Sequence, residues 1–284
     1  MAAGYFGVGS SMLFGSIVAP EGDLQGAAII CSSVNADAAK SYRTEVLLAR
    51  ALAQRGVAGM RFHYRGQGQS DGEPRDMTFE SMRHDAFAAI DMLQTWTEAS
   101  RLVAIGCRLG GLIAASVVSD TPSVPLALWD PVLEPDAYFR EALRALRVAE
   151  MTALTSSSWS RAKRIDDLAD HDWVDVHGYP LFGSFIRSFR RRSLSGDIGP
   201  HARPVLLLNA GATTDSVGRT HASLIRELTD TGCSVDIVPM GSQVGWWFRG
   251  GAHERDQIHR LTPRVVTAMT DWIGTQLDQS GSAC

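Results

Sequence analysis

Gly106-Cys107-Arg108-Leu109-Gly110 lies between a short apolar run, Leu102–Ile105, and a longer one that continues through Leu112–Val118. A buried strand, a glycine-pinched turn and a helix in that order form an elbow that holds a nucleophile out at its apex, in the pattern G-x-S-x-G. The apex residue here is Arg108, whose guanidinium stays protonated at physiological pH and carries no nucleophilic oxygen or sulfur. Serine attack from the apex is therefore excluded. A fixed cation at the start of a helix can instead hold a carboxylate, phosphate or enolate oxygen, or stabilise charge that develops in a transition state. The plainer reading is a structural ion pair, and Asp130, at the end of the strand Leu126–Trp129, is the acid expected beside it.

Ser32 and Ser33 follow the apolar run Ala27–Cys31 and face the same crevice. Either could serve as a displaced nucleophile with His253 as its base, and both could equally cap backbone groups or bind substrate. Ser33 is taken as a catalytic candidate; Ser32, Asp130, Cys107 and Trp247 are taken as substrate-binding candidates. Cys107 immediately precedes the apex, so its side chain should point into the packed layer. The pocket's aromatic character can come from Trp129, Tyr179, Trp246, Trp247 and Phe248, each of which could also be core. Gly68-Gln-Ser-Asp-Gly72 satisfies G-x-S-x-G literally, but no helix follows it, and Ser70 reads as a turn residue satisfying backbone groups. His63 reads as a packed or turn-stabilising histidine.

The elements that must position these residues alternate. A hairpin is expected over Tyr5–Val8 and Met12–Val18, then strands at Ala27–Cys31, Val57–Tyr64, Leu102–Ile105, Leu126–Trp129, Val205–Asn209 and Val235–Pro239. Helices are expected over Thr44–Arg55, from Thr78 as N-cap through Leu93, after the elbow, over Arg219–Thr229, and from Pro263 to Leu277. Short continuous apolar strands between helices imply an α/β fold with a mostly parallel sheet covered on both faces. The rhythm breaks between residues 134 and 198, which reads as a cap insertion in a core made of 1–133 and 199–284.

The chain has 45% hydrophobic and 20% charged residues with net charge −4, which argues against a broad nucleic-acid or membrane-surface role. Four widely spaced cysteines form no ligand pattern, so neither a zinc site nor a disulfide framework is expected, and a reducing cytoplasm is the natural setting. No apolar run is long enough to span a bilayer, and residues 1–20 make no convincing signal peptide. No cofactor is expected. Oligomeric state is not legible.

These landmarks resemble the α/β-hydrolase superfamily over nearly the whole chain. Arg61-Phe-His-Tyr-Arg-Gly-Gln-Gly-Gln-Ser-Asp-Gly72 is similar to its F-D-x-R-G-x-G-x-S turn. Gly106-Cys-Arg-Leu-Gly110, Leu128-Trp-Asp-Pro-Val132 and Gly178-Tyr-Pro-Leu181 resemble most closely a bacterial branch that includes the exosortase-associated hydrolases. The resemblance implies an acid after the strand at 205–209, matched by Asp215, and a histidine after the last strand, matched by His253. His253 would act as general base if a carboxylate holds its second nitrogen. Asp215 would be that acid, or simply a helix N-cap.

Two classes of function follow. One is an enzyme acting on an acyl ester, thioester or related carbonyl small molecule by hydrolysis, acyl transfer or elimination/cyclisation, in a bacterial biosynthetic pathway. The other is a catalytically degenerate hydrolase that binds a ligand or acts as a scaffold. The substrate could be anionic, or carried on coenzyme A or a carrier protein attracted by Arg187 and Arg190–Arg192, although a solvated helix face explains those arginines as well.

Overall fold

The computed structural model describes residues 1–121, 123–153, 172–176, 178–209, 214–240 and 252–281, with the side chains of 145–153, 209, 214–220, 252–259 and 280–281 outside the description. Its main sheet has eight strands: β1 (Ala2–Val8), β2 (Ser11–Val18), β3 (Gly26–Cys31), β4 (Val57–Phe62), β5 (Leu102–Cys107), β6 (Leu126–Trp129), β9 (Pro204–Asn209) and β10 (Ser234–Pro239). Their spatial order is β1-β2-β4-β3-β5-β6-β9-β10. The leading hairpin β1–β2 is antiparallel and joins β4 antiparallel; every later pairing is parallel.

Burial follows from that topology. All six residues of β3 are buried, as a central strand covered on both faces requires, whereas β2 alternates between buried and part-exposed positions. One apolar layer joins the sheet to α2 (Phe79–Thr97) and α3 (Gly110–Val118), with Phe79, Met82, Leu93, Leu112 and Ile113 at its centre. The other joins it to α1 (Asn35–Gln54) and α8 (Ala252–Gly281) through Leu48, Leu52, Val265, Met269 and Ile273. From β3 the chain runs to β4 on one side, then crosses back through α2 to β5 on the other. The crevice between the ends of β3 and β5 is thus the point where strand order reverses, the usual place for a ligand in an open α/β sheet.

Helix starts differ most from the sequence reading. Thr78 caps α2 as expected, accepting from the Ser81 amide at 3.1 Å. The first helix, however, begins at Asn35 rather than Thr44, because its opening turns are polar and carry no apolar stripe for periodicity to detect. That extension brings Asp37 to the crevice. Helix α7 (Thr214–Asp230) and helix α8 also start earlier than Arg219 and Pro263. The backbones of Asp215 and His253 therefore lie in first helical turns, not in loops, and their side chains are outside the described residues.

Between β6 and β9 the described residues form α4 (Pro135–Ala153), a β7–β8 hairpin (Trp173–Val176, Tyr179–Phe182), α5 (Gly183–Phe189) and α6 (Leu194–Ile198). Much of the basic run there is internally engaged. Arg190 donates to Asp136 at 2.8 Å, and Arg192 pairs with Asp197 at 2.8 Å while lying 3.8 Å from the centroid of the Phe79 ring.

Burial pushes the Asp197 carboxyl up to about 6, against the opposing pull of Arg192 and Arg83. A folded-state value above the unfolded one means that the native state holds the extra proton. The associated stability is full below about pH 4 and is lost as pH rises through about 6. Asp197→Asn should remove that loss and leave the protein more stable at pH 7, by up to about 2 kcal/mol. Urea denaturation of both proteins at pH 4.5 and 7 checks it; equal pH slopes would contradict the assignment.

Candidate active site

The elbow has the geometry of a nucleophile turn with an arginine at its apex. Arg108 has φ 51°, in the left-handed region that non-glycine residues seldom occupy. Its carbonyl accepts from the Gly111 amide at 3.0 Å and the Val132 amide at 3.2 Å, and its own amide donates to the Trp129 carbonyl at 3.1 Å. The turn is tight because α3 packs directly on the strand ends. A Cβ on Gly106 would lie 2.5 Å from Gly111 Cα, and one on Gly110 would overlap the carbonyl oxygens of Cys31 and Ser32.

The guanidinium folds inward, and Arg108 as a whole is 6% exposed. Its Nε donates to Asp37 Oδ2 at 3.3 Å, its Nη1 donates to the Asp130 carbonyl at 2.9 Å, and its plane approaches the Tyr138 ring at 5.5 Å. The Tyr138 hydroxyl, reaching down from α4, donates to the same Asp37 oxygen at 3.1 Å. Burial works against the arginine's charge, but Asp37 and Asp130 outweigh it and raise its pKa further. Burial likewise drives the Tyr138 phenol well up. The sequence reading anticipated an acid beside Arg108, and the carboxylate found in hydrogen-bond contact is Asp37. Asp130 contributes its carbonyl and a favourable field. Asp37 and Tyr138 also border a small apolar cavity of about 50 Å³ with Val34, Phe139 and Phe185.

A larger cleft, about 430 Å³, opens beside the crevice between the loops that follow β3 and β4. Ser32, Ser33, Glu45, Arg61, His63 and Tyr179 are among its lining residues. Ser32 is half-buried and its hydroxyl donates to Glu45 Oε2 at 2.6 Å, while Ser41 donates to Glu45 Oε1 at 2.6 Å. Glu45 is 3% exposed, and burial raises its pKa although both serines and Arg61 pull it down. The Ser33 hydroxyl is fully buried and meets no hydrogen-bond partner among the described residues. The structure therefore brings together Ser32, Ser33, Arg108 and Asp130 around one end of the sheet. Asp37, Glu45, Arg61 and Tyr138, which sequence reasoning missed, complete that end.

Other candidates fall elsewhere. Cys107 is 2% exposed in the layer shared with α1 and α8, so it sits behind the crevice and does not line it as a substrate-binding residue would; burial raises its thiol pKa strongly. Trp129 belongs to the same layer. Trp246, Trp247 and Phe248 lie outside the described residues. His63 accepts from the Gln69 amide through Nδ1 at 3.3 Å, and burial, with Arg61 nearby, lowers its pKa, consistent with a turn-stabilising neutral ring. Ser70 accepts from the Phe14 amide at 2.9 Å and donates to the His63 carbonyl at 2.7 Å, tying the turn to β2. Ser70→Ala should therefore cost about 1–2 kcal/mol in urea denaturation while leaving any turnover unchanged. Lost turnover in a folded variant would make Ser70 a chemical residue after all. Among the described residues no cluster of His, Cys, Asp or Glu could hold a metal ion.

Residues 29–174, which run from within β3 through the elbow and α4, match the family described as Serine aminopeptidase, S33. The chain belongs to this family. Solved structures agree on the fold at low identity. Est1E from Butyrivibrio proteoclasticus, determined with ferulic acid bound, superposes with TM-score 0.64 at 16% identity, covering 95% of this chain and 99% of its own. A thermophilic esterase from Thermogutta terrifontis, malate bound, gives TM-score 0.60 at 15% identity, covering 97% and 99%. A putative hydrolase from Agrobacterium vitis S4 gives 0.57 at 19% identity, covering 97% and 98%. No functionally curated protein matches the sequence. The fold is thus the α/β-hydrolase fold, as the sequence landmarks implied. Family membership supports a hydrolase type of activity, while this member carries Arg108 at the apex. Among the described residues no helix is long and apolar enough to cross a membrane.

Proposed function

We propose that this protein is an enzyme that hydrolyses, or transfers the acyl group of, a small ester or thioester without a nucleophile at its elbow. The carrying observation is the cleft of about 430 Å³ between the loops that follow β3 and β4, lined by hydroxyl, carboxylate and imidazole groups, on the other side of β3 from an elbow that is occupied but intact. The family, and the ester and hydrolase descriptions of its structural neighbours, support carbonyl chemistry. Arg108 acts in this reading as a positioning residue: paired to Asp37, it fixes the crevice wall and the Tyr138 end of α4. His253 and Asp215, by their place in the sequence after the last strand and after β9, are one candidate base and orienting acid for this reaction, an alternative to a base within the cleft itself. The bacterial, exosortase-associated branch rests on the Gly106–Gly110, Leu128–Val132 and Gly178–Leu181 motifs, and with it a place in biosynthesis.

A second reading, a degenerate hydrolase that only binds ligand, is favoured by one observation: the apex is filled by a buried ion pair. Turnover decides between the two. A panel of p-nitrophenyl esters and acyl thioesters, followed by absorbance and by mass spectrometry of products, should show enzyme-dependent release of the acid. Binding of panel members without turnover would establish the second reading instead.

A further inference from the structure

We propose that Ser32 is an acyl-accepting nucleophile and Glu45 its general base, working in the cleft between the loops after β3 and β4. The inference rests on the acyl-carbonyl reading above and assigns its reacting groups.

The pair is already formed. A hydroxyl that donates to a carboxylate at 2.6 Å is aimed for proton transfer, and Ser32, half-buried on the cleft wall, is the member that a substrate can reach. Glu45 is held on its other oxygen by Ser41, so its free rotation is removed and Oε2 is kept for Ser32. Its burial raises its proton affinity, which makes the carboxylate a stronger base. Solvating a buried acid explains Ser41 and the Arg61 Nε at 4.0 Å, but not why one further donor lacks an acceptor. The Ser33 Oγ–H is buried without a hydrogen-bond partner among the described residues, and Ser33 lines this cleft. An orphan donor beside a nucleophile is what a developing oxyanion requires. Arg61 is itself steadied by the Tyr42 ring, 4.3 Å from its guanidinium carbon.

The step balances without a co-reactant other than water. Glu45 takes the hydroxyl proton as Ser32 Oγ bonds to the carbonyl carbon, and the carbonyl π pair moves onto oxygen. When the intermediate collapses, the bond to the leaving alcohol or thiol breaks and that group takes the proton from Glu45. A water then repeats the sequence against the Ser32 ester: Glu45 accepts its proton, its oxygen bonds to carbon, and Ser32 departs with the proton. The net change is ester plus water to acid plus alcohol. The cleft volume and walls of Tyr42, Met77, Tyr179 and Pro180 fit a compact aryl or short aliphatic acyl group.

The test uses p-nitrophenyl acetate and p-nitrophenyl benzoate with the full chain and its Ser32→Ala, Glu45→Gln and His253→Ala variants, each checked by circular dichroism. Acid-quenched wild-type reactions are digested and searched for an acyl group by mass spectrometry. The proposal expects the acyl group on Ser32, turnover at background in Ser32→Ala, a fall of about 100-fold or more in Glu45→Gln, and only a few-fold change in His253→Ala. An acyl group on another residue, or full activity in Ser32→Ala, overturns it while leaving the acyl-carbonyl reading intact. Loss in His253→Ala with activity kept in Glu45→Gln overturns the assignment of the base. Absence of turnover in every protein, wild type included, overturns both readings.

Discussion

Arg108→Ala is expected to lower the unfolding free energy by about 3–5 kcal/mol, because it removes one member of a buried pair and strands the other. Asp37 is 6% exposed and would keep the Tyr138 hydroxyl as donor to its Oδ2 but lose its cation. The Asp130 carbonyl would lose its donor at 2.9 Å as well. Relief of the left-handed backbone does not help, since alanine at φ 51° is strained much as arginine is. Arg108→Ala with Asp37→Asn should recover a large part of the loss, since no uncompensated charge remains. Chemical denaturation of the four proteins of that cycle gives the coupling. Values that simply add would remove the ion pair from the account.

Gly110→Ala is expected to be at least as damaging, costing about 3 kcal/mol or more, or preventing folding. The added carbon meets two backbone carbonyl oxygens, those of Cys31 and Ser32, and backbone at the end of a fully buried strand cannot give way as a side-chain tip can. Helix α3 would have to move off β3, opening the layer that holds Leu112 and Ile113. It would also displace Ser32, so any surviving protein should lose turnover. Thermal unfolding and ester assay together check this. A stable, active Gly110→Ala protein would mean that the elbow is not packed as described.

Most of the frame was legible because burial imposes period and run length. Continuous apolar strands such as Ala27–Cys31 and Leu126–Trp129 have a single reading, and the pinched glycines of 106–110 fix a close helix-on-strand contact. The site was less so. Asp37 sits in the polar opening turns of α1, where no apolar stripe marks the helix, and Glu45, within the expected helix, is a charged residue whose burial only the folded chain reveals. Tyr138 becomes a partner of Asp37 across 101 positions of sequence, a distance that no local pattern spans. Asp130 was placed correctly at a strand end, but a strand end offers its carbonyl as readily as its carboxylate.

In the proposed reaction, carbonyl chemistry proceeds beside the elbow while Arg108 only holds the crevice in shape. The most direct measurement is kcat/KM for p-nitrophenyl acetate in an Arg108→Met, Asp37→Asn double variant, in which the pair is replaced by neutral groups and the fold can be retained. A value within about tenfold of wild type is expected. A folded double variant with turnover at background would contradict it and make the arginine a catalytic group.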